Sequence, residues 1–189
     1  NNQVAGNMDV TNAGVFTTAA GANLVVGGNV TQDGLGANTI GGDITADNIT
    51  FGTGVTLDNA GSTIVFSTAA ANGNIVLSST LGNTTDESIT FSAGSGNVNV
   101  DGAVTLANVG GVGGDILVTT ANNVTFGATV SANNFTQNSA EATGTTTFDG
   151  LVTLAGNFDF TGQNLTVNGV GNNQVAGNMD VTNAGVFTT

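Results

Sequence analysis

Short apolar–x–apolar triplets recur along the chain, and they constrain its fold more than any other feature of the sequence. The clearest ten lie at residues 49–51, 55–57, 89–91, 98–100, 104–106, 124–126, 152–154, 158–160, 165–167 and 179–181. This alternation is the period of a β-strand that buries one face. Between the triplets lie mainly Gly, Asn and Ala, which suit tight corners. We therefore predict strands of three to five residues that recur about every 6–12 residues.

Two all-β architectures use many short strands. An antiparallel sandwich or barrel needs hairpin turns, yet only a few Asn-Gly or Asp-Gly pairs occur, among them those at residues 72–73, 101–102, 149–150 and 168–169. A parallel β-solenoid, which stacks short strands from successive coils, fits the spacing better. We predict eight or nine coils of about 20 residues in 171 residues, with residues 43–62, 88–113 and 114–134 as successive coils. Residues 110–114 and 138–145 would form loops at corners.

The alternation also predicts which side chains form the core. We expect inward rows of Val, Ile, Leu and Phe, because rows of like residues stack when coils repeat. Five phenylalanine rings should face the interior: Phe51, Phe91, Phe126, Phe148 and Phe160. The 13 carboxylates should point outward and keep the protein soluble. Corner asparagines have two possible roles, either side-chain amide ladders between coils or ordinary turn chemistry.

An exact internal repeat organises the chain. Residues 1–18 and 172–189 both read NNQVAGNMDVTNAGVFTT. We interpret residues 1–171 as one full solenoid repeat and residues 172–189 as the start of the next identical copy, in a longer tandem array. Coils about 4.8 Å apart would place the second segment roughly 40 Å above the first, in the same conformation and packing environment. The alternative is an engineered duplication, for which the last segment would be disordered or would fold back on its own unit.

The residue types that are missing exclude several functions. The chain contains no Lys, Arg, His, Cys, Pro, Trp or Tyr. Without cations it has nothing to neutralise phosphates, so we expect neither nucleic acid nor anionic membrane surfaces as partners. No apolar run approaches the ~20 residues that span a bilayer. No basic side chain is present to activate a serine, so catalysis would depend on carboxylates alone. We predict that the protein is not an enzyme.

Three stretches resemble the repeat regions of filamentous-haemagglutinin-like and autotransporter-type bacterial adhesins. They are NVTFGATVSANNFTQ (123–137), TGTTTFDGLVTLAGNFDFTGQNLTVNG (143–169) and SITFSAGSGNVNVDGAVTL (88–106). The resemblance implies a right-handed parallel β-helix, export to the bacterial cell surface or medium, and an adhesive or fibrous function. It carries no catalytic motif, and we expect no cofactor apart from the calcium considered below.

Two motifs are candidate sites. The nine residues from Gly110 to Val118 read GGVGGDILV and fit the nonapeptide that binds calcium in repeated copies, with Asp115 as the metal ligand. Only one copy occurs, so a glycine-rich corner is the alternative, and calcium is the only cofactor considered. Six Asn-x-Thr sequons follow from the strand pattern, and sugar attachment to them would be sterically allowed. Their asparagines are Asn29, Asn48, Asn83, Asn123, Asn134 and Asn164.

Three functions remain open from the sequence. The first is a structural fibre or cell-surface filament of tandem solenoid repeats, whose partner is itself, through head-to-tail continuation of identical repeats and, as a further contact, lateral packing of fibres. The second is the stalk of an adhesin whose binding domain lies elsewhere. The third is an ice-binding solenoid, suggested by the central threonines of the triplets, although variable coil lengths count against it.

Overall fold

The computed structural model describes residues 2–106, 113–138 and 144–189, and these residues form 26 strands and no helix. In chain order the strands are β1 (Asn2–Val4), β2 (Met8–Val10), β3 (Phe16–Thr18), β4 (Leu24–Val26), β5 (Val30–Gln32), β6 (Asn38–Ile40), β7 (Ile44–Thr45), β8 (Ile49–Phe51), β9 (Val55–Leu57), β10 (Thr63–Ser67), β11 (Ile75–Leu77), β12 (Leu81–Asn83), β13 (Ser88–Ser92), β14 (Val98–Val100), β15 (Val104–Thr105), β16 (Ile116–Thr120), β17 (Val124–Phe126), β18 (Val130–Ala132), β19 (Phe135–Asn138), β20 (Thr145–Phe148), β21 (Val152–Leu154), β22 (Phe158–Gly162), β23 (Asn164–Val167), β24 (Gln174–Val175), β25 (Met179–Asn183) and β26 (Phe187–Thr188). The predicted all-β fold is confirmed.

Every third strand belongs to the same parallel sheet. Sheet A runs from β1 through β4 to β25, sheet B from β2 through β5 to β26, and sheet C from β3 through β6 to β24. Three consecutive strands therefore make one coil, and the described residues form a β-solenoid of about eight coils. Residues 43–62 and 114–134 each hold one coil, as predicted, and the coil predicted at 88–113 begins at β13.

The core follows from the alternation within each triplet. In β8 the side chains of Ile49 and Phe51 are buried, whereas Thr50 between them is only half-buried. The five phenylalanines predicted to face inward are all at most 2% exposed. Phe126 and Phe148 stack with ring centroids 5.1 Å apart, and this is the geometry that parallel pairing of like residues produces. Rows of similar side chains thus run along the axis.

Coil lengths vary, and the corners absorb the variation. Ile89 pairs with Ile116 after 27 residues, whereas Ile116 pairs with Phe135 after 19. Of the predicted corner loops, residues 110–112 and 139–143 lie outside the described residues, while Gly113 and Gly114 have positive φ angles of 83° and 68°. Other corners allow no side chain at all. A Cβ on Gly73 would lie 1.7 Å from the carbonyl oxygen of Asp47 in the preceding coil.

The two identical segments occupy different sheets, so the prediction of one packing environment is wrong. Residues 1–18 contribute β1, β2 and β3 to sheets A, B and C, whereas residues 172–189 contribute β24, β25 and β26 to sheets C, A and B. The reason is the strand count: the described part of the unit holds 23 strands, which is not a multiple of three. The last segment nevertheless continues the solenoid and does not fold back on its own unit.

Candidate functional site

Asparagines form a side-chain ladder at the corner that precedes sheet B. The sheet-B ladder consists of Asn7, Asn29, Asn48, Asn74, Asn97 and Asn123, each of which stands directly before a strand. Within it, both the backbone N–H and the Nδ2 of Asn97 donate to Asn74 Oδ1, at 2.9 and 3.0 Å. Asn97 Oδ1 in turn accepts from the Nδ2 of Asn123 at 2.9 Å. The amide-ladder interpretation of the corner asparagines is therefore confirmed.

A second ladder precedes sheet A and contains the candidate calcium ligand. The sheet-A ladder consists of Asp115, Asn134, Asn157 and Asn178. Asn157 N–H donates to Asn134 Oδ1 at 2.7 Å, and Asn178 N–H donates to Asn157 Oδ1 at 2.9 Å. Asp115 stands at the base of this ladder, where its own N–H donates to Ser88 Oγ at 3.1 Å.

Three N–H groups of the next coil surround one oxygen of Asp115. Its Oδ1 accepts from Asn133 Nδ2 at 2.9 Å, Asn134 N at 3.0 Å and Asn134 Nδ2 at 2.8 Å. Asp115 acts in this structure as a hydrogen-bond acceptor that joins two coils. Among the residues described, no group of three or more Asp, Glu, His or Cys could hold a metal ion.

The candidate calcium nonapeptide, from Gly110 to Val118, is only partly described by the structure. Gly110 and the two residues after it lie outside the described residues, so the first glycines of the motif have no structural account. Val118 is a fully buried core residue of β16, where Ile116 and Val118 face inward while Leu117 between them is only half-buried. The described end of the motif is thus a corner followed by an ordinary strand. Calcium at Asp115 stays a prediction.

The six sequon asparagines lie at corners or strand ends, where their side chains are occupied. Asn29, Asn48, Asn123 and Asn134 belong to the two ladders, Asn83 Nδ2 donates to the Glu87 carbonyl oxygen at 3.0 Å, and Asn164 Oδ1 accepts from Val186 N–H at 2.9 Å. Nδ2 of Asn48, Asn123 and Asn134 donates a hydrogen bond to the neighbouring coil, so a sugar there would have to replace the other Nδ2 hydrogen; sugar attachment stays a prediction.

Glu87 is a buried carboxylate that sequence reasoning placed on the surface. It is fully buried at the corner between β12 and β13, and it reaches the corner of the preceding coil. Its Oε1 accepts from the backbone N–H groups of Asn59 and Gly61, at 3.3 and 3.2 Å, and from the hydroxyls of Thr84 and Thr85, at 3.3 and 2.8 Å. Its Oε2 accepts from the N–H groups of Thr84 and Thr85, at 3.1 and 2.9 Å. One side chain thus holds two consecutive corners together.

The hydrogen bonds keep Glu87 ionised despite its burial. Burial raises the pKa of the carboxyl group, but the donated hydrogen bonds, from Thr85 above all, together lower the pKa from its ordinary 4.5 to about 2. A carboxylate with so low a pKa carries no proton at neutral pH and cannot serve there as a general acid. Its geometry is that of a structural clamp.

An open groove lies on the outer face of sheet A. This groove of about 470 Å³ is lined by polar side chains that include Asp115, Asn134, Thr136, Asn157 and Asp159. Asp115 directly precedes β16, and Asp159 lies in β22, which is two coils further along sheet A. None of the described residues that line the groove is aromatic. The groove can therefore offer hydrogen bonds and negative charge to a ligand, but no ring on which a sugar or base could stack.

Comparison with protein-family models, curated proteins and solved structures gives no significant match. The assignment of the chain as a β-solenoid therefore depends on its own strand pairing. In the part of the chain described, no helix has the length and apolarity that crossing a membrane requires.

Sequence reasoning overlooked Glu87 because dispersed acidic residues are normally solvated. A local signal did exist. Glu87 is one of only two glutamates in the chain and follows the Thr84-Thr85 pair, whose hydroxyl and N–H groups are the donors that a short buried carboxylate needs.

Proposed function

We propose that this chain is part of a structural extracellular fibre or cell-surface filament built from tandem β-solenoid repeats. The observation that carries the proposal is the seating of residues 172–189 on the last complete coil. Its strands pair in parallel with β21, β22 and β23, as strands pair inside the unit. A solenoid that passes from one copy into the next in this way has no intrinsic limit to its length.

The chemistry of the surface suits a durable filament outside the cell. The described strands rely on backbone pairing, apolar rows and amide ladders, and the chain offers no lysine or arginine for trypsin-like proteases. Its 13 acidic groups, unopposed by any basic side chain, repel other copies sideways and favour end-to-end growth. The same geometry would serve as the stalk of an adhesin, whose complete chain would carry distinct domains besides the repeat.

The filament proposal is tested by chains that contain two and four tandem copies. Each copy should add about 37 Å of contour length, because 23 strands form seven and two-thirds coils spaced by about 4.8 Å. Electron microscopy measures this length, and antibody labelling of intact source cells tests exposure. Separate compact beads, or antigen found only inside the cell, would contradict the proposal.

One observation favours an ice-binding function as a second candidate. Small residues, mostly threonine with one serine and one glycine, form an outward row along sheet C. They are Thr17, Thr39, Thr56, Gly82, Thr105, Ser131 and Thr153. The row is present although the coils differ in length. A three-residue strand points only its central residue outward, so each strand contributes one residue, and sheet C presents a single row rather than a two-dimensional array. Thermal hysteresis of the purified chain would establish this function, and its absence would exclude it.

A further inference from the structure

The repeated 18 residues occur in two complementary settings. At the start of the chain this segment has a neighbour only above it, where β1 and β2 pair with β4 and β5. At the end it has a neighbour only below it, where β24 to β26 pair with β21 to β23. Two equivalent glycines show that only the second segment has a coil below it. A Cβ on Gly6 would meet nothing within 4 Å, whereas a Cβ on its counterpart Gly177 would lie 2.3 Å from Asn157 Oδ1. Combined, the two settings give the segment a partner on both faces.

The last coil exposes the core residues that a following coil would cover. Met179 is 52% exposed and Phe187 is 42% exposed, while their counterparts Met8 and Phe16 pack against the core. An apolar cavity of about 270 Å³, lined by Val152, Phe158 and Met179 among others, lies at this end. In the first copy, Met8 pairs with Val30, whose equivalent in a following copy would sit over Met179.

The two ladders share the residue at which such copies would join. Asn178 is the last member of the sheet-A ladder, and its N–H donates to Asn157 Oδ1 at 2.9 Å. Its counterpart Asn7 is the first member of the sheet-B ladder, and Asn7 Oδ1 accepts from Asn29 N–H at 3.0 Å. In a tandem array Asn178 of one copy is also Asn7 of the next, so the four-member and six-member ladders share one residue. Together they form a single ladder over nine consecutive coils, which crosses the junction between the copies.

We propose that successive copies of the 171-residue unit are joined with a shift of one sheet, so that each copy is turned by one third of a turn relative to the preceding one. This inference rests on the proposed tandem array. With 23 strands in the described part of each copy, a position in sheet B of one copy lies in sheet A of the next and sheet C of the third. The pattern recurs after three copies, 23 coils or about 110 Å. The acidic groove with Asp115 and Asp159 therefore faces three directions in turn, and the filament has no single functional side.

Engineered disulfides test the shift in the chain as it stands, because the protein contains no cysteine of its own. Asp159 and Asp180 are register partners on β22 and β25, so Asp159→Cys with Asp180→Cys should cross-link on mild oxidation. If the second segment instead kept the sheets of the first, Asp180 would lie over β23 opposite Thr166. The matched control is therefore Thr166→Cys with Asp180→Cys, which should stay reduced. Non-reducing electrophoresis and mass spectrometry report the bond, and circular dichroism confirms that each variant is folded.

A chain of two copies extends the test across the junction. Asp9 pairs with Thr31 in the first copy, so Asp180→Cys should also cross-link to the second copy of Thr31→Cys. Should either double-cysteine variant be poorly folded, Thr161→Cys with Thr182→Cys replaces the first pair, because these two exposed residues are partners in the same strands. Cross-linking of the control pair, or of no pair, would overturn the proposal. Correct cross-links in a protein that is found inside the cell would refute the extracellular function and leave the sheet shift intact.

Discussion

Replacing Glu87 by glutamine tests whether one buried carboxylate clamps two corners of the solenoid. Glutamine keeps the shape of the side chain but puts an NH₂ group where one oxygen accepts hydrogen bonds. In either orientation that group faces two backbone N–H donors, those of Asn59 and Gly61 or those of Thr84 and Thr85. These N–H groups are partly buried, so leaving two of them without an acceptor costs at most about 2 to 6 kcal/mol in the free energy of unfolding.

The pKa of Glu87 gives an independent magnitude and a pH dependence. A fall from 4.5 to about 2 corresponds to at most about 3 kcal/mol of stability. Because the pKa in the folded state is the lower one, this contribution is fully present above about pH 4.5 and is lost as the pH falls towards 2. The wild type should therefore lose its advantage over Glu87→Gln progressively across this range.

The assay is guanidinium unfolding followed by far-ultraviolet circular dichroism, since the chain has no tryptophan. The unfolding free energies of wild type and Glu87→Gln should differ by about 1 to 3 kcal/mol at pH 7 and by much less at pH 2. The exposed Asp47, changed to asparagine, provides the control for loss of a negative charge. A difference below about 1 kcal/mol at pH 7, or one that does not change with pH, would refute the clamp.

Three further changes probe the corners. Gly73→Ala should destabilise the protein by about 1 to 3 kcal/mol because the added Cβ would overlap the Asp47 carbonyl oxygen. Gly6→Ala, the control, should be neutral, and equal unfolding midpoints for the two variants would contradict the corner geometry. Asn97→Ala removes three ladder hydrogen bonds and should cost about 1.5 to 4 kcal/mol, more than Asn7→Ala at the ladder end, by the same unfolding assay. EDTA should leave the unfolding midpoint unchanged, since Asp115 Oδ1 is held by three N–H donors; a fall in the midpoint would support calcium at Asp115.

The strands and most of the core could be predicted because they depend on local alternation. A triplet such as Val124-Thr-Phe126 shows its buried and outward positions within three residues, and stacking of like on like then follows from repetition. Strands whose inward residues are polar give no such signal. Asn38 and Gln32 are buried, and Asn38 Nδ2 donates to Gln32 Oε1 at 3.2 Å. Inward polar residues of this kind become acceptable only when a partner is supplied from elsewhere in the stack of coils.

The sheet assignment of the second copy was beyond sequence reasoning for a related physical reason. If the sequence analysis misses or adds one strand among the 23 described for the unit, the predicted number of coils changes little. Because every third strand joins the same sheet, however, the error changes the sheet to which every later strand is assigned. Strands with weak signals decide that assignment: β12 carries Gly82 at its centre, and β20 reads Thr-Thr-Thr-Phe148. The corners impose no correction, because the same Asn position takes part in both ladders: Asn178 donates its N–H before sheet A, and its counterpart Asn7 accepts through Oδ1 before sheet B. Interchangeable corners let a segment of one sequence enter any sheet, so the phase between copies is set by the number of strands and not by any single residue.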